Sequence, residues 1–294
     1  MKIAVIRFSA LGDIAASMPV LRALKYKPTI ITTSIGKELL KDEFDDFIIL
    51  ENKKLLTVFK LIVKLRKEKF DLIVDLQGND RSKFICKFSN VKEYVNSTGV
   101  SFNQKATFIF RDIAKKSSLN IINDLDDNFY KKEKTYIVLN CGSSPKWLSK
   151  RLPFEKWKEI SILLKEKYNL PIYLTGDNSE IEYIEDLSKN LVGDITNLCG
   201  KTSIQELKKI LTNAFLVVST DSASMHISAV QKTPTIGLFG PTNWIISAPY
   251  GSWSKVSYDK IYFKDNKPLN CNSMEINDYF TNIDISKPLD DLKL

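Results

Sequence analysis

Apolar and polar positions alternate regularly along the whole chain, with short apolar runs separated by amphipathic patterns. In the first half, runs rich in β-branched residues predict strands at residues 3–8, 29–33, 47–50, 71–76 and 91–95. Apolar residues at helical spacing between these runs predict helices over residues 14–25, 55–69 and 105–118. This order of elements predicts a parallel sheet that is covered by helices.

The pattern is interrupted once, by the polar segment NFYKKEKT at residues 128–135, and then begins again. Strands are predicted at residues 136–140, 172–175, 215–219 and 235–239, and helices over residues 154–168, 180–191 and 204–213. Two such series predict an α/β protein with two Rossmann-like domains, residues 1–132 and 133–270, whose parallel sheets face a central cleft. We expect residues 271–294 to form a C-terminal tail that packs back on the N-terminal domain.

Composition excludes several classes of protein. Of 294 residues, 44% are hydrophobic and 27% are charged, which is ordinary for a soluble globular protein. No apolar run approaches the ~18 residues that a membrane span needs, and the N-terminal segment lacks the pattern of a signal peptide. Cys86, Cys141, Cys199 and Cys271 form no CxxC pair, so we expect reduced thiols in a cytoplasmic protein. His226 is the only histidine, which excludes a multi-histidine metal site.

The net charge of +8 suits an anionic partner, such as a nucleotide phosphate, a phosphorylated lipid, a membrane surface or a nucleic acid. A lysine-rich proteome explains the same charge equally well, because the lysines are spread along the whole chain. Nucleic acid is the least favoured of these partners, since no basic stripe with interleaved aromatic residues is present.

Residues 53–69, KKLLTVFKLIVKLRKEK, form an amphipathic helical pattern. Eight apolar residues cover a wide arc, and Lys53, Lys60, Lys64 and Lys67 fall on the opposite side. An ordinary helix with its apolar side on a sheet accounts for this pattern. The alternative is a helix that also meets an anionic membrane surface weakly through its lysines, without inserting.

The loop after the first strand, RFSALGD, has a carboxylate where a dinucleotide-binding turn would have glycines for phosphates. Asp13 lies at or next to the N-cap of the following helix, and Asp is a favoured cap. The alternative is a carboxylate that takes a proton from a substrate hydroxyl, with Arg7 and Ser9 holding the substrate beside it. On the motif alone, capping is the favoured interpretation.

The loop NCGSSPKWLSKRLP, residues 140–153, combines a glycine, two hydroxyls and three cations directly after a strand. Small residues permit close approach of the backbone, and cations neutralise a diphosphate, so this loop favours phosphate binding over a solvated basic loop. In LTGDNSE, Glu180 either accepts hydrogen bonds from ribose hydroxyls or favours the helix dipole. In VVSTDSASMHISAV, a helix N-terminus with nearby hydroxyls suits an anion. The alternative there is that Asp221 is an N-cap and His226 a packed or capping residue.

Four segments together resemble glycosyltransferase family 9, the ADP-heptose:lipopolysaccharide heptosyltransferases. They are RFSALGDIAASMPVLRAL, DLQGNDRS, NCGSSPKWLSKRLPFEKW and STDSASMHISAVQKTPTIGLFGPTN, in the family's order. The last is the most specific, because the family reads D-[ST]-G-x-x-H followed by T-P-x-[IV]-x-[IL]-[FY]-G-P-T. The resemblance implies the GT-B fold, with an acceptor-binding N-terminal domain and a nucleotide-sugar-binding second domain.

The resemblance also implies roles for individual residues. It makes Asp13 the general base for the acceptor hydroxyl, and it places Arg7, Ser9, Gln77 and Arg81 on the acceptor side. The donor-binding residues that it implies are Ser143, Ser144, Lys150, Glu180, Asp221, Ser222, Ala223 and His226. Two departures are Ala223, where the family has glycine, and a shortened segment at residues 19–35. A positive φ at position 223 would be strained, whereas a helix start would tolerate alanine.

The activity implied is inverting transfer of a heptose from ADP-heptose to a lipid-linked acceptor of the lipopolysaccharide inner core. We expect no cofactor and no metal, because no DxD-type motif lies beside these loops and Lys150 and helix N-termini would neutralise the diphosphate. The expected partners are therefore the donor, the lipid-linked acceptor and, weakly, the inner face of an anionic inner membrane. The alternatives are a transferase that uses another nucleotide sugar for a surface glycan, and an inert GT-B protein that binds a nucleotide sugar.

Overall fold

The computed structural model describes residues 1–259, 279–292 and 294, and the backbone of residues 263–264 and 267–268. It divides into two compact units, Met1–Asp126 and Asp127–Leu294. Each unit is built on a parallel sheet with helices in the connections, so the predicted α/β class with two parallel sheets is confirmed. Cys271 and the predicted boundary at residues 270 and 271 lie outside the described residues.

The first unit holds a five-stranded parallel sheet in the order β3-β2-β1-β4-β5. Its strands are β1 Ile3–Ile6, β2 Pro28–Thr32, β3 Phe47–Ile49, β4 Leu72–Asp75 and β5 Glu93–Val95. Its helices are α1 Leu11–Ala23, α2 Ser34–Leu40, α3 Leu55–Glu68, α4 Asp80–Phe88 and α5 Ala106–Lys115. The central strand β1 is buried along its whole length, which explains its uninterrupted apolar sequence.

The second unit holds a six-stranded parallel sheet in the order β11-β10-β9-β6-β7-β8. Its strands are β6 Ile137–Asn140, β7 Ile172–Leu174, β8 Ile195–Asn197, β9 Leu216–Thr220, β10 Thr235–Phe239 and β11 Ser254–Tyr258. Two further strands, β12 Phe263–Lys264 and β13 Lys267–Pro268, pair with each other in antiparallel fashion. Its helices are α6 Phe154–Tyr168, α7 Ile181–Ser188, α8 Ile204–Asn213, α9 Ala223–Val230, α10 Trp244–Ser247 and α11 Ser286–Asp291. Two 3₁₀ helices, Pro145–Lys150 and Asn178–Glu180, lie in the loops after β6 and β7.

Each sheet has one point where the chain reverses its direction of travel across the strands. In the first unit this switch lies between the adjacent strands β1 and β4, and in the second it lies between β6 and β9. In open α/β sheets, ligands bind at such a switch, beyond the carboxyl ends of the strands. The loops after these four strands are therefore the positions that the topology offers to ligands.

The described part of the tail packs within the second unit. Tyr279, Phe280 and Leu289 are buried in the same core as β6 and β9. The expectation that the tail packs on the N-terminal unit is therefore wrong for these residues. The reason is that their aromatic and aliphatic side chains complete a core that includes the fully buried Trp157 and Phe215.

The core of the first unit covers only part of the apolar side of helix α3. Four of its apolar residues are buried in the core of the first unit, namely Val58, Leu61, Ile62 and Leu65. Four others stay exposed, namely Leu55, Leu56, Phe59 and Val63. Lys60 and Lys64 are exposed, as predicted, but the expectation that the whole apolar side of α3 packs on the sheet is wrong, because the core covers only part of that side.

Candidate functional site

In the first unit, the loops after β1 and β4 are joined by one side chain. The Oε1 atom of Gln77 accepts hydrogen bonds from the backbone nitrogens of Phe8, at 2.8 Å, and Ser9, at 3.1 Å. Two of the predicted acceptor-side residues, Ser9 and Gln77, are therefore in direct contact. Ser9 is exposed, and Arg81 lies half-buried in the first turn of α4.

The carboxylate of Asp13 is held at its Oδ2 atom by two contacts. The Nη2 atom of Arg7 lies 2.7 Å from it, and the backbone nitrogen of Ala10 donates to it at 3.0 Å. Helix α1 begins at Leu11 with Ala10 as its N-cap, so Asp13 is the third helical residue. Asp13 is therefore not itself the N-cap residue, but its carboxylate accepts from the backbone nitrogen of the N-cap, in agreement with the capping interpretation. The Asp13 side chain keeps 45% of its area exposed.

The Arg7 guanidinium is buried rather than open to a substrate. It donates to the Leu76 carbonyl, lies 4.8 Å from the Phe110 ring centroid, and retains 9% of its side-chain area in contact with solvent. Burial lowers the pKa of Arg7 below its ordinary value, and the Asp13 carboxylate opposes this effect. Its Nε atom is buried without a hydrogen-bond partner among the described residues. Through these contacts Arg7 fixes the position of Asp13, and little of its guanidinium is accessible to an acceptor.

Asp75, the last residue of β4, fixes the loop that follows this strand. It is fully buried and accepts hydrogen bonds from the backbone nitrogens of Gln77 and Gly78, both at 3.0 Å, and from the hydroxyl of Ser82 at 2.8 Å. Burial raises the pKa of the Asp75 carboxyl, and these hydrogen bonds oppose the rise. Asp75 was not predicted as a site residue, although DLQGNDRS contains a carboxylate at the end of an apolar strand.

In the second unit, the loops after β6 and β9 meet in an ion pair. The Nζ atom of Lys150 lies 2.8 Å from Oδ2 of Asp221, with 20% and 10% of the two side chains exposed. The same Nζ atom lies 5.8 Å from the Trp147 ring centroid. Asp221 is therefore a partner of Lys150, and the N-cap of α9 is Ser222. The interpretation of Asp221 as the N-cap is wrong.

The two serines of the loop after β6 are used within that loop. The hydroxyl of Ser143 donates to the carbonyl of Trp147 at 2.7 Å, and Ser143 is buried. The hydroxyl of Ser144, which is exposed, accepts from the backbone nitrogen of Lys146 at the start of the 3₁₀ helix. Arg151 fixes the loop further, because its Nη2 atom donates to the carbonyl of Ser143 at 2.8 Å.

A series of hydrogen-bonded polar side chains leads to the start of α9. The amide of Asn140 donates to the hydroxyl of Ser222 at 3.2 Å, and the hydroxyls of Ser219 and Ser222 lie 3.0 Å apart. Thr175 donates in turn to Oδ1 of Asn140 at 3.1 Å. Asn140, which was not predicted as a site residue, thus links the ends of β6, β7 and β9. Its position as the polar last residue of an apolar strand was the available signal.

The start of α9 tolerates alanine at position 223, where the family has glycine. Ala223 is the first helical residue and has a negative φ, so alanine is not strained there. His226 lies one turn into the helix and is 9% exposed. Its burial fits the interpretation of a packed residue.

Glu180 lies in a recess that two glycines leave open. A Cβ atom at Gly142 would come within 2.1 Å of its Oε1 atom, and one at Gly176 within 2.9 Å of its Oε2 atom. The Oε2 atom accepts a hydrogen bond from the backbone nitrogen of Asp177 at 2.7 Å. Burial raises the pKa of the Glu180 carboxyl. The sequence pattern placed Glu180 in this loop, but its approach to Gly142 is visible only in the structure.

Two features are absent from the part of the chain that the structure describes. Within the described residues, no group of three or more His, Cys, Asp or Glu residues is placed to hold a metal ion. No helix among these residues combines the length and the apolar character that crossing a membrane would require.

Comparisons of the sequence point to one family. Residues 112–271 match the family model of glycosyltransferase family 9 (heptosyltransferase). Lipooligosaccharide heptosyltransferase 2 of Campylobacter jejuni is 28% identical over 267 residues, which cover 82% of each chain. Lipopolysaccharide heptosyltransferase 1 of Campylobacter coli is 24% identical over 328 residues, which cover 95% of this chain and 94% of the other.

Solved structures share the fold. The structure of E. coli ADP-heptose lps heptosyltransferase II matches with a TM-score of 0.72 at 16% identity, covering 99% of this chain and 97% of the other. That of E. coli heptosyltransferase WaaC with ADP matches with a TM-score of 0.69 at 19% identity, covering 87% and 92%. The fold class is GT-B, as the resemblance of the sequence implied.

Proposed function

The chain belongs to glycosyltransferase family 9 and is a transferase, and on that premise we propose that it moves a heptose from ADP-heptose to a lipid-linked acceptor of the lipopolysaccharide inner core. The transfer proceeds with inversion. Asp13 takes the proton of the acceptor hydroxyl while the acceptor oxygen bonds to the anomeric carbon of the heptose. The bond from that carbon to the diphosphate breaks on the opposite face, and ADP leaves.

The observation that carries this proposal is the way in which the two oxygens of the Asp13 carboxylate are bonded. Among the described residues, both of its contacts fall on Oδ2, so Oδ1 can accept a hydrogen bond from an acceptor hydroxyl. The buried Arg7 fixes the carboxylate at the edge of the sheet where ligands of this topology bind. A general base needs this combination of a fixed position and an accessible oxygen. We therefore assign Arg7 to the positioning of Asp13, with Ser9, Gln77 and Arg81 toward the acceptor.

Donor binding falls to the second unit. Lys150 and the start of α9, with Ser222 and Ala223, neutralise and bind the diphosphate, for which Lys150 would exchange its contact with Asp221. The same donor-binding region includes Ser143, Ser144 and Glu180, with Glu180 toward the ribose. His226 supports helix α9 by packing as one of its buried residues. The structure of WaaC with ADP-2-deoxy-2-fluoro heptose, which shares the fold at a TM-score of 0.64, supports an ADP-linked donor.

The activity is tested with purified protein, a panel of donors and a heptose-deficient inner-core acceptor. We expect ADP-heptose to raise the melting temperature and to be consumed, and UDP- and GDP-sugars to do neither. The anomeric configuration of the product, measured by NMR, should be opposite to that of the donor. Transfer from a UDP- or GDP-sugar instead would assign another sugar. Donor binding without transfer to the acceptor would indicate an inert binding protein, and retention of configuration would exclude the single displacement.

A further inference from the structure

One side of α3 presents apolar and basic residues together to solvent. Leu55, Leu56, Phe59 and Val63 are exposed by 66%, 77%, 47% and 50% of their areas. With 3.6 residues per turn, these four positions fall on one half of the exposed side, beside the buried stripe. Lys60, Lys64 and Lys67 fall on the other half, and all three are exposed. Such a side has the amphipathic character of helices that lie at a membrane surface.

Helix α4 extends this surface with aromatic residues. The rings of Phe59 and Phe84 meet edge to face with centroids 6.1 Å apart, and those of Phe84 and Phe88 lie 4.5 Å apart. Phe88 is 41% exposed, and its carbonyl accepts a hydrogen bond from Nε of Arg66 at 2.8 Å. The exposed apolar side chains therefore form a continuous surface across the two helices. We name it the α3–α4 face, and it comprises Leu55, Leu56, Phe59, Val63 and Phe88.

One end of the α3–α4 face lies toward the acceptor side of its unit. A helix that connects two parallel strands begins at the carboxyl edge of the sheet, so Leu55 and Leu56 lie at the edge that carries the loop of Asp13. Arg81, in the first turn of α4, is separated from Phe88 by seven residues, or roughly 10 Å along the helix axis. If the sugar of a lipid-linked acceptor lies near Arg81, the lipid chains of the same molecule are therefore close enough to reach the α3–α4 face.

We propose that the α3–α4 face docks on an anionic bilayer. Leu55, Leu56, Phe59 and Val63 enter the boundary between headgroups and acyl chains, and the lysines on the other half of α3 contact lipid phosphates. Residues 53–69 contain seven basic residues and one acidic residue. This charge complements an anionic leaflet, whereas it would oppose a second copy of the same face. The placement of the acceptor lipid rests on the proposed function, but the docking itself does not.

Docking of this kind predicts separate contributions to membrane binding from the apolar half and the lysine half of the exposed side of α3. A lysine near an anionic surface contributes about fivefold to binding, and this contribution is screened by salt. Burial of an apolar side chain contributes independently of lipid charge. We therefore expect Leu56→Gln with Phe59→Gln, and Lys60→Gln with Lys64→Gln, each to weaken vesicle binding by about tenfold or more. Only the lysine contribution should disappear in high salt.

The test is sedimentation of the full chain with vesicles of phosphatidylcholine alone or with phosphatidylglycerol, at low and high salt. The controls are Ile162→Gln and Lys165→Gln on α6, which replace one exposed apolar residue and one exposed lysine of the second unit by glutamine. We expect the controls to bind as the parent chain does. Because no donor or acceptor is present, this result does not depend on the proposed transferase reaction. Transfer to a soluble, delipidated acceptor should be unchanged in the Leu56 and Phe59 variants, which separates docking from catalysis.

Three results would overturn the proposal. The first is no binding of the parent chain to anionic vesicles at low salt. The second is binding that falls with the lysine variants but is unaffected by Leu56→Gln with Phe59→Gln, because contact would then be electrostatic without entry of apolar residues. The third is a dimer in analytical ultracentrifugation that the same apolar variant dissociates, because the face would then be an interface between two copies.

Discussion

Replacement of Asp13 by asparagine separates the chemistry of this residue from its structural role. Asn keeps the size of the side chain and an oxygen that can accept from the backbone nitrogen of Ala10, which the carboxylate now accepts at 3.0 Å. The variant loses the negative charge that faces Arg7 at 2.7 Å and the ability to take a proton. Loss of a general base typically lowers turnover by ~10²–10⁴-fold, or about 3–5 kcal/mol in activation free energy.

The cost in stability should be much smaller than the cost in rate. The Asp13 side chain is 45% exposed, so solvent screens its pairing with Arg7, and the carboxylate of Asp75 remains to stabilise the buried Arg7 charge. We expect a loss of about 1 kcal/mol in the free energy of unfolding, which corresponds to roughly 2–4 °C in melting temperature. ADP affinity should be unchanged, because the residues assigned to the diphosphate belong to the second unit.

The assay compares turnover at saturating donor and acceptor with ADP affinity from calorimetry and with the melting temperature. Asp112→Asn is the matched control, because Asp112 also pairs with an arginine, Arg111, at 2.8 Å and is 34% exposed in the same unit. We expect the control to turn over normally. If the Asp13 variant retained turnover within about fivefold of the parent chain, the base assignment would be refuted. Asp13 would then serve only the start of α1.

Three other substitutions test the second unit. Lys150→Ala should weaken ADP binding in calorimetry by about 10–100-fold, as expected for loss of a charge-assisted contact to a phosphate; unchanged affinity would exclude Lys150 from the diphosphate site. Gly142→Ala should force Glu180 to move, because the new Cβ would lie 2.1 Å from Oε1; we expect a loss of about 1–3 kcal/mol in stability together with weaker ADP binding, and a normal melting temperature would show that the recess adapts. His226→Ala should lower turnover by less than about tenfold and leave the near-neutral limb of the pH–rate profile in place; disappearance of that limb would make the imidazole an acid or base.

The sequence by itself determined the alternation of strands and helices in the two units and most of their individual elements. Helices 154–168 and 204–213 and strand 235–239 have the bounds that periodicity predicted. These elements have one buried side or are wholly buried, so their apolar pattern is set by their own period. The edge strands β8 and β11 were missed, because an edge strand is less covered and its sequence lacks a continuous apolar run. The short helices α2 and α4 also went unpredicted.

Only the tertiary structure decided what each polar residue of the candidate site contacts. From the sequence, Arg7 is a charged residue at the end of a strand and would be expected to be accessible. In the structure it is buried, because Leu76, Phe110 and Asp13 surround it. Lys150 and Asp221 are separated by 71 residues and form an ion pair only because β6 and β9 are adjacent in the sheet. Periodicity reports which residues share one side of an element. Which part of that side is covered depends on neighbours far away in the chain, and this is why α3 could be predicted as a helix but its exposed apolar residues could not.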